Sequence, residues 1–292
     1  MRSSKVKPKQ MIIPERVNYI KNAELDKLRF IWLGHSSIFV QTGGQNILID
    51  PVFSNVTSPV RFIGPKRFTK VAIRPEDYPD IDVVVISHDH YDHLDKATIK
   101  IMDSKVSHYV VPMGVDKILK KWKISESKIN VLSWWESVTL QDNQYTLTPS
   151  KHFSGRNPLK MNNTVFGGIY IKNDNYSVYY TGDGGYSKFF KEVYEKFGET
   201  DLMFAESGQY NKNWADHHMF PNQTVTACKD ANARWFVPVH WGAFVLSTHA
   251  WNEPPEKTTE YAKEMGLNIA TPRIGQLVDY DNIGEYQEKW WK

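Results

Sequence analysis

Ser87-His88-Asp89-His90-Tyr91-Asp92-His93-Leu94-Asp95 carries three imidazoles and the Asp92 carboxylate between positions 88 and 93. Just before it, Val83-Val84-Val85-Ile86 is a continuous apolar run, as a strand shows when both its faces are covered. Lys96–Met102, just after it, has helical character. The histidines therefore sit on a loop at the C-terminal end of a buried strand. In an extended loop, residues i and i+2 send their side chains to the same side, which groups His88 with His90. Asp92 and His93 turn toward a neighbouring point as the helix begins. Imidazole with carboxylate suits zinc, and also iron or manganese. The competing reading is a polar loop that holds histidines by accident, expected in about one chain per thousand. Placement after a buried strand makes that rarer still.

Further ligands should then lie at other strand ends, because open sheets gather functional groups there. His152 follows the apolar stretch Tyr145–Pro149, Asp183 follows Ser177–Thr181, and His240 follows Trp235–Val239. Other strands are expected at Leu28–Leu33, Ser37–Thr42, Asn46–Asp50, Asp82–Ser87, Tyr109–Pro112, Val165–Lys172 and Leu202–Ala205. Gly43-Gly44 reads as a hairpin turn. Helices are expected at Lys96–Met102, Val115–Trp122, Ser187–Phe197, Gln223–Asn232 and Lys257–Met265, with Asn222 as an N-cap. Helices recurring among strands predict sheets covered by helices.

The chain has 292 residues, 41% of them hydrophobic, and a formal charge of only +3. It is long enough to bury a large core, and its balance of charge argues against a polybasic nucleic-acid binder. With one cysteine, Cys228, neither an intrachain disulfide nor a thiolate cluster can form. A reducing cytoplasm fits that usage. No apolar stretch is long enough for a transmembrane helix. Arg2, Lys5, Lys7 and Lys9 resemble a signal-peptide n-region, but Met11–Arg16 supplies no apolar run and breaks at Pro14. A solvated basic tail is the expectation, with membrane-surface contact second. No Gly-x-Ser-x-Gly elbow or phosphate-cradling glycine loop is present, so serine hydrolase and kinase readings lack support.

Taken together, these residues resemble the metallo-β-lactamase superfamily, with its His-x-His-x-Asp-His signature and later His, Asp and His. Within it the chain most resembles the N-acyl-phosphatidylethanolamine-hydrolysing phospholipase D family and its bacterial relatives. Leu33-Gly34-His35-Ser36-Ser37, Asp50-Pro51-Val52-Phe53, Gly64–Phe68, Trp134–Ser137, His152–Arg156 and His240-Trp241-Gly242 carry that likeness, which runs from about residue 28 to about residue 247. It implies an α/β fold, the αββα sandwich, with two mixed sheets packed face to face and helices outside. The hydrolase domain would span residues 26–292, after a basic segment at 1–25. It also implies two zinc ions: His88, His90 and His152 on the first, Asp92, His93 and His240 on the second, Asp183 bridging. Asp50 would sit behind the ligands and orient a histidine. The family often has Gly-Asp-Thr-Gly where this chain has Gly182-Asp183-Gly184-Gly185.

The implied activity is release of N-acylethanolamine and phosphatidate from N-acyl-phosphatidylethanolamine, by a hydroxide shared between metals ~3.5–4 Å apart. Asp92 on the second metal and His218 near the scissile group would be the catalytic residues. His217 is the less well matched of that pair. Tyr91 would line the mouth, and Arg61, Lys66 and Arg67, flanked by Phe62 and Phe68, would meet lipid head groups. The expected partners are a phospholipid or other phosphodiester and, peripherally, a membrane, with no nucleic acid. His35 and His108 are read as satisfied or solvated histidines. Trp134-Trp135 and Trp290-Trp291 read as packing. A sugar-phosphate lactonase or other small-molecule hydrolase is the alternative. A nuclease would usually need a basic exosite, and a catalytically silent metal-containing binding module is disfavoured by the complete set of ligand positions.

Overall fold

The computed structural model describes residues 5–17, 20, 22–60, 62–156 and 161–292. Strands β1 (Arg29–Trp32), β2 (Ile38–Thr42) and β3 (Gln45–Ile49) form an antiparallel meander. β4 (Ile81–Val85), β5 (Val106–Pro112) and β6 (Ile129–Leu132) extend it in parallel. In the second sheet β7 (Ser137–Leu140), β8 (Asn143–Thr148), β9 (Gly168–Lys172) and β10 (Ser177–Tyr180) are antiparallel. β11 (Thr200–Glu206) and β12 (Ala233–Val239) then add in parallel. The short β13 (Leu277–Asp279) returns to pair with β1.

Alternation along β4 explains the four-layer stack. Val83 and Val85 face inward, with Phe30, Ile47, Leu147, Ile169 and Phe204, into the core between the sheets. Val84 and Ile86 face outward, where Ile99 of α1 (Lys96–Met102) and Leu119 of α2 (Val115–Lys121) cover them. The second sheet is covered in the same way by α3 (Phe189–Phe197), α4 (Pro221–Asp230) and α5 (Glu253–Met265), through Val193, Val225 and Ala262. The architecture is the expected αββα sandwich of two mixed sheets.

Three helix starts differ from expectation, the first being α3, which begins at Phe189 and not Ser187. α4 begins at Pro221, so Asn222 lies inside its first turn and is not the N-cap. Proline has no N–H to leave unpaired at that position, and the Phe220 N–H before it donates to Gln223 Oε1 (3.0 Å). α5 likewise starts early, because Pro254 and Pro255 fit a first turn. Strands β6, β7 and β13 carry no sequence signal of their own, being edge strands of three or four residues.

The described part of the basic N-terminal segment lies against the sandwich: Ile12 bridges to Thr69, and the Glu15 N–H donates to Ile274 O. At the other terminus Trp291 is buried, and Trp241 packs on Trp32, Trp290 and Trp291. The chain end therefore braces the residue that follows His240.

Candidate metal centre

Every ligand expected from the sequence lies just beyond the C-terminal end of a strand, along one edge of the sandwich. His88 to His93 follow β4, His152 follows β8, Asp183 follows β10, and His240 follows β12. Their donor atoms fall into two groups. His88 Nε2 and His152 Nε2 lie 2.9 and 3.2 Å from His90 Nδ1. In the second group, His93 Nε2 and His240 Nε2 each lie 3.5 Å from Asp92 Oδ2. Asp183 stands between them. Its Oδ2 is 3.0 and 3.2 Å from His93 and His240, and 3.9 Å from both His88 and His152.

The orientation of each ring is set from behind. His93 Nδ1 donates to Asp50 Oδ2 (2.7 Å), and His152 Nδ1 donates to the His217 carbonyl (3.1 Å). His88 Nδ1 is 2.9 Å from Ser87 Oγ, and Ser87 also donates to Asp50 through its hydroxyl and its N–H. Tyr180 adds a fourth donor to the Asp50 carboxylate. His240 Nδ1 faces Glu206 Oε1 at 3.3 Å. In all four rings Nδ1 is spent on the protein, so Nε2 is left for the centre. This is the usual arrangement behind metal-binding histidines.

Close approach of backbone to backbone keeps these loops in place. Gly182 has φ +62°, and a Cβ there would meet the Gly167 carbonyl at 2.4 Å. At Gly184 a Cβ would lie 3.1 Å from the Lys151 nitrogen.

Residues 45–241 match the family model for a β-lactamase superfamily domain. The chain belongs to the metallo-β-lactamase superfamily. It is 35% identical over 284 residues to an uncharacterized protein of Mycobacterium tuberculosis, covering 96% of this chain and 76% of that one. It is 33% identical over 242 residues to N-acyl-phosphatidylethanolamine-hydrolyzing phospholipase D 1 of Caenorhabditis elegans, covering 78% and 68%. Among solved structures, Igni18, a metallo hydrolase of the archaeon Ignicoccus hospitalis, superposes with a TM-score of 0.67 at 21% identity. That match covers 87% of this chain and 98% of Igni18.

The superfamily's metal pair fits the residues present. The donor set is five imidazoles and two carboxylates, and Asp183 Oδ1 is buried without a hydrogen-bond partner. Buried polar atoms are rarely left so. Without metal the cluster holds protons unevenly. Burial pushes His88, His90 and His152 down, while Asp183 and Asp92 outweigh burial and push His93 up. His240 is pushed up to about 10, burial again being outweighed by Asp183, Asp92 and Glu206. The two groups therefore differ electrostatically before any cation enters.

Above the superfamily centre lies a cavity of about 630 Å³ whose wall includes Phe153, Met161, Trp214, Leu246, His217 and His218. His218 stacks on His240 and donates from Nδ1 to Glu206 Oε1 (3.0 Å).

Several residues stand elsewhere than the sequence suggested. His35 is no bystander: it is buried, and its Nε2 lies 2.9 Å from Asp92 Oδ2, so it joins the second donor group. The residue has φ +54°, a conformation that swings its ring off the end of β1 and into the site. Glu206 was missed altogether. The one available signal was an acid terminating the apolar stretch Leu202–Ala205. Arg67 does not reach for head groups. Its guanidinium donates to the carbonyls of Val52 and Ser54 and lies over the Phe244 ring, and burial lowers it to about 10. Lys66 is exposed, and Arg61 lies outside the described residues. Tyr91 faces a neighbouring groove, not the cavity wall, with the Arg156 guanidinium 3.9 Å over its ring. His108 lies in β5 and joins none of the donor groups. Trp134 remains 42% exposed, so the first tryptophan pair is only partly packing.

Proposed function

We propose that this metallo-β-lactamase superfamily hydrolase is a phosphodiesterase of phospholipase D type, acting on N-acyl-phosphatidylethanolamine. The observation that carries the reading is Asp183, set between two three-residue donor groups at the foot of a cavity with an apolar wall. His88, His90 and His152 would hold one metal, and Asp92, His93 and His240 the other, with Asp183 shared. Zinc suits that set. When bound, such a pair supplies an activated water and neutralises charge on a phosphoryl oxygen.

The protein's own groups do the rest. Asp50 and the His217 carbonyl hold ring orientation through Nδ1, as above. His218, with Nδ1 committed to Glu206, presents Nε2 to a phosphoryl or leaving-group oxygen. Phe153, Met161, Trp214 and Leu246 exclude water and offer acyl chains an apolar surface. Phe62 and Ile63, 78% and 64% exposed close to Lys66, suit a peripheral contact with a lipid surface. Among the described residues no helix is long and apolar enough to cross a membrane. Support for the substrate comes from the named phospholipase relative at 33% identity.

The test is hydrolysis of N-acyl-phosphatidylethanolamine in mixed micelles, with metal counted in the same sample and Asp183→Asn beside it. Phosphatidate release, about two metals per chain and loss of both in the variant are expected. Two metals without lipid turnover would reject the substrate and keep the dinuclear hydrolase. Fewer than two metals, in protein purified without chelators, would reject the metal pair.

A further inference from the structure

Glu206 is the last residue of β11, its side chain fully buried, and the reaction outlined above uses it only behind His218. Its carboxylate oxygens face three hydrogen-bonding partners. Oε1 lies 3.0 Å from His218 Nδ1 and 3.3 Å from His240 Nδ1, and Oε2 accepts the Met219 N–H at 2.9 Å. The backbone that carries it is pinned as well. The Glu206 N–H donates to Thr181 Oγ1, its carbonyl accepts from Thr224 Oγ1, and the next N–H donates to Val239 O.

A carboxylate accepts and does not donate, so both Nδ1 atoms that face it must carry hydrogen. Both rings are thereby set with Nε2 as the free nitrogen. The two free nitrogens share a destination. His240 Nε2 lies 3.2 Å from Asp183 Oδ2, and a ring nitrogen of His218 lies within 4.8 Å of the same carboxylate. The rings lie nearly parallel, 19° apart with centroids separated by 5.1 Å, as two arms held by one anchor would. One of these histidines belongs to the metal-holding set and the other to the cavity. A buried carboxylate is costly unless fully paired, and here the two imidazoles and one amide do the pairing.

We propose that Glu206 is a positioning residue shared by the metal centre and the reaction cavity, fixing His240 for metal and His218 for substrate through one carboxylate. Removing it weakens metal holding and slows turnover together, whereas removing His218 slows turnover alone. The inference rests on the metal-pair reading and is independent of which substrate enters.

Two measurements on the full, zinc-loaded chain test it. In ¹⁵N-histidine NMR, with His218→Asn and His240→Asn used to assign the rings, both residues should carry hydrogen on Nδ1. An Nδ1 without hydrogen in either ring overturns the proposal without any Glu206 variant having to fold. In competition with a chromophoric chelator, Glu206→Gln should release one zinc about 10–100-fold more readily, as removal of a partner behind a ligand does. Its kcat should fall on a generic phosphodiester such as bis-p-nitrophenyl phosphate, with KM little changed. Glu206→Asp, which keeps the charge at shorter reach, should recover part of the zinc affinity, and His218→Asn should keep all of it. Parent-like zinc affinity in Glu206→Gln, or equal loss in His218→Asn, overturns the shared anchor. Parent protein that holds fewer than two zinc ions would instead overturn the metal-pair reading.

Discussion

Asp50 Oδ2 lies 2.7 Å from His93 Nδ1, with both side chains fully buried. The same carboxylate accepts from Ser87 and Tyr180, so one residue at the end of β3 ties the His88–His93 loop to both sheets. Asp50→Asn puts an amide N–H₂ among the donors of His93, Ser87 and Tyr180. Metal affinity is expected to drop about 10–100-fold, and stability by about 1–3 kcal/mol. Metal competition and urea melts check this, and an Asn variant with parent metal affinity would remove Asp50 from the centre.

His35 contributes to the acid limb of the metal-free protein's stability. Burial, with the neighbouring His240 charge, pushes it down to about 3 despite its contact with Asp92. Between pH about 6.5 and 3 the unfolded chain takes up a proton that the folded chain refuses, so stability falls as pH falls through that window. His88 and His152 act in the same direction. His240, raised to about 10, acts oppositely, contributing stability below about 6.5 that is lost as pH rises toward 10. Urea melts in chelator should therefore weaken on both sides of neutrality, and His35→Asn should flatten the acid side. An unchanged acid slope in that variant would exclude His35 as a contributor.

Arg67 distinguishes scaffold from substrate contact. Its guanidinium is spent on the carbonyls of Val52 and Ser54. Arg67→Ala should lower the melting temperature, at a cost of roughly 1–3 kcal/mol for carbonyls left without donors. KM for a lipid substrate should stay near the parent's. A raised KM with unchanged melting would restore the head-group role.

Gly208 offers a test of how tightly the His240 loop is held. A Cβ there would lie 2.0 Å from the His240 carbonyl and 3.3 Å from Trp241 Cβ, so the backbone must move. Gly208→Ala should lose metal affinity through displaced His240, though no donor atom has been removed. Parent metal content and activity would show that the loop has slack which the packing does not suggest.

Much of the site was visible because its ligands are local in the chain. His88, His90, Asp92 and His93 share one loop, and His152, Asp183 and His240 each end an apolar run that reads as a strand. Glu206 and His35 were obscured for different reasons. Glu206 looks like an ordinary acid leaving a strand, and its meaning comes from His218 and His240, 12 and 34 positions away. His35 depends on a left-handed backbone conformation that carries no sequence mark in a histidine. Strands β6, β7 and β13 were illegible because edge strands are short and half-solvated, which leaves little alternation to detect.

The sequence by itself determined the layering and the donor chemistry. Alternating and continuous apolar runs decide which faces must be buried, and residue type decides which atoms can bind a cation. Only the tertiary structure decided which side chains share the centre, that Arg67 belongs to the scaffold, and that one carboxylate serves two histidines. Those outcomes depend on pairing strand ends far apart in the chain, at separations of a few ångströms, and no local pattern of residues encodes such a distance.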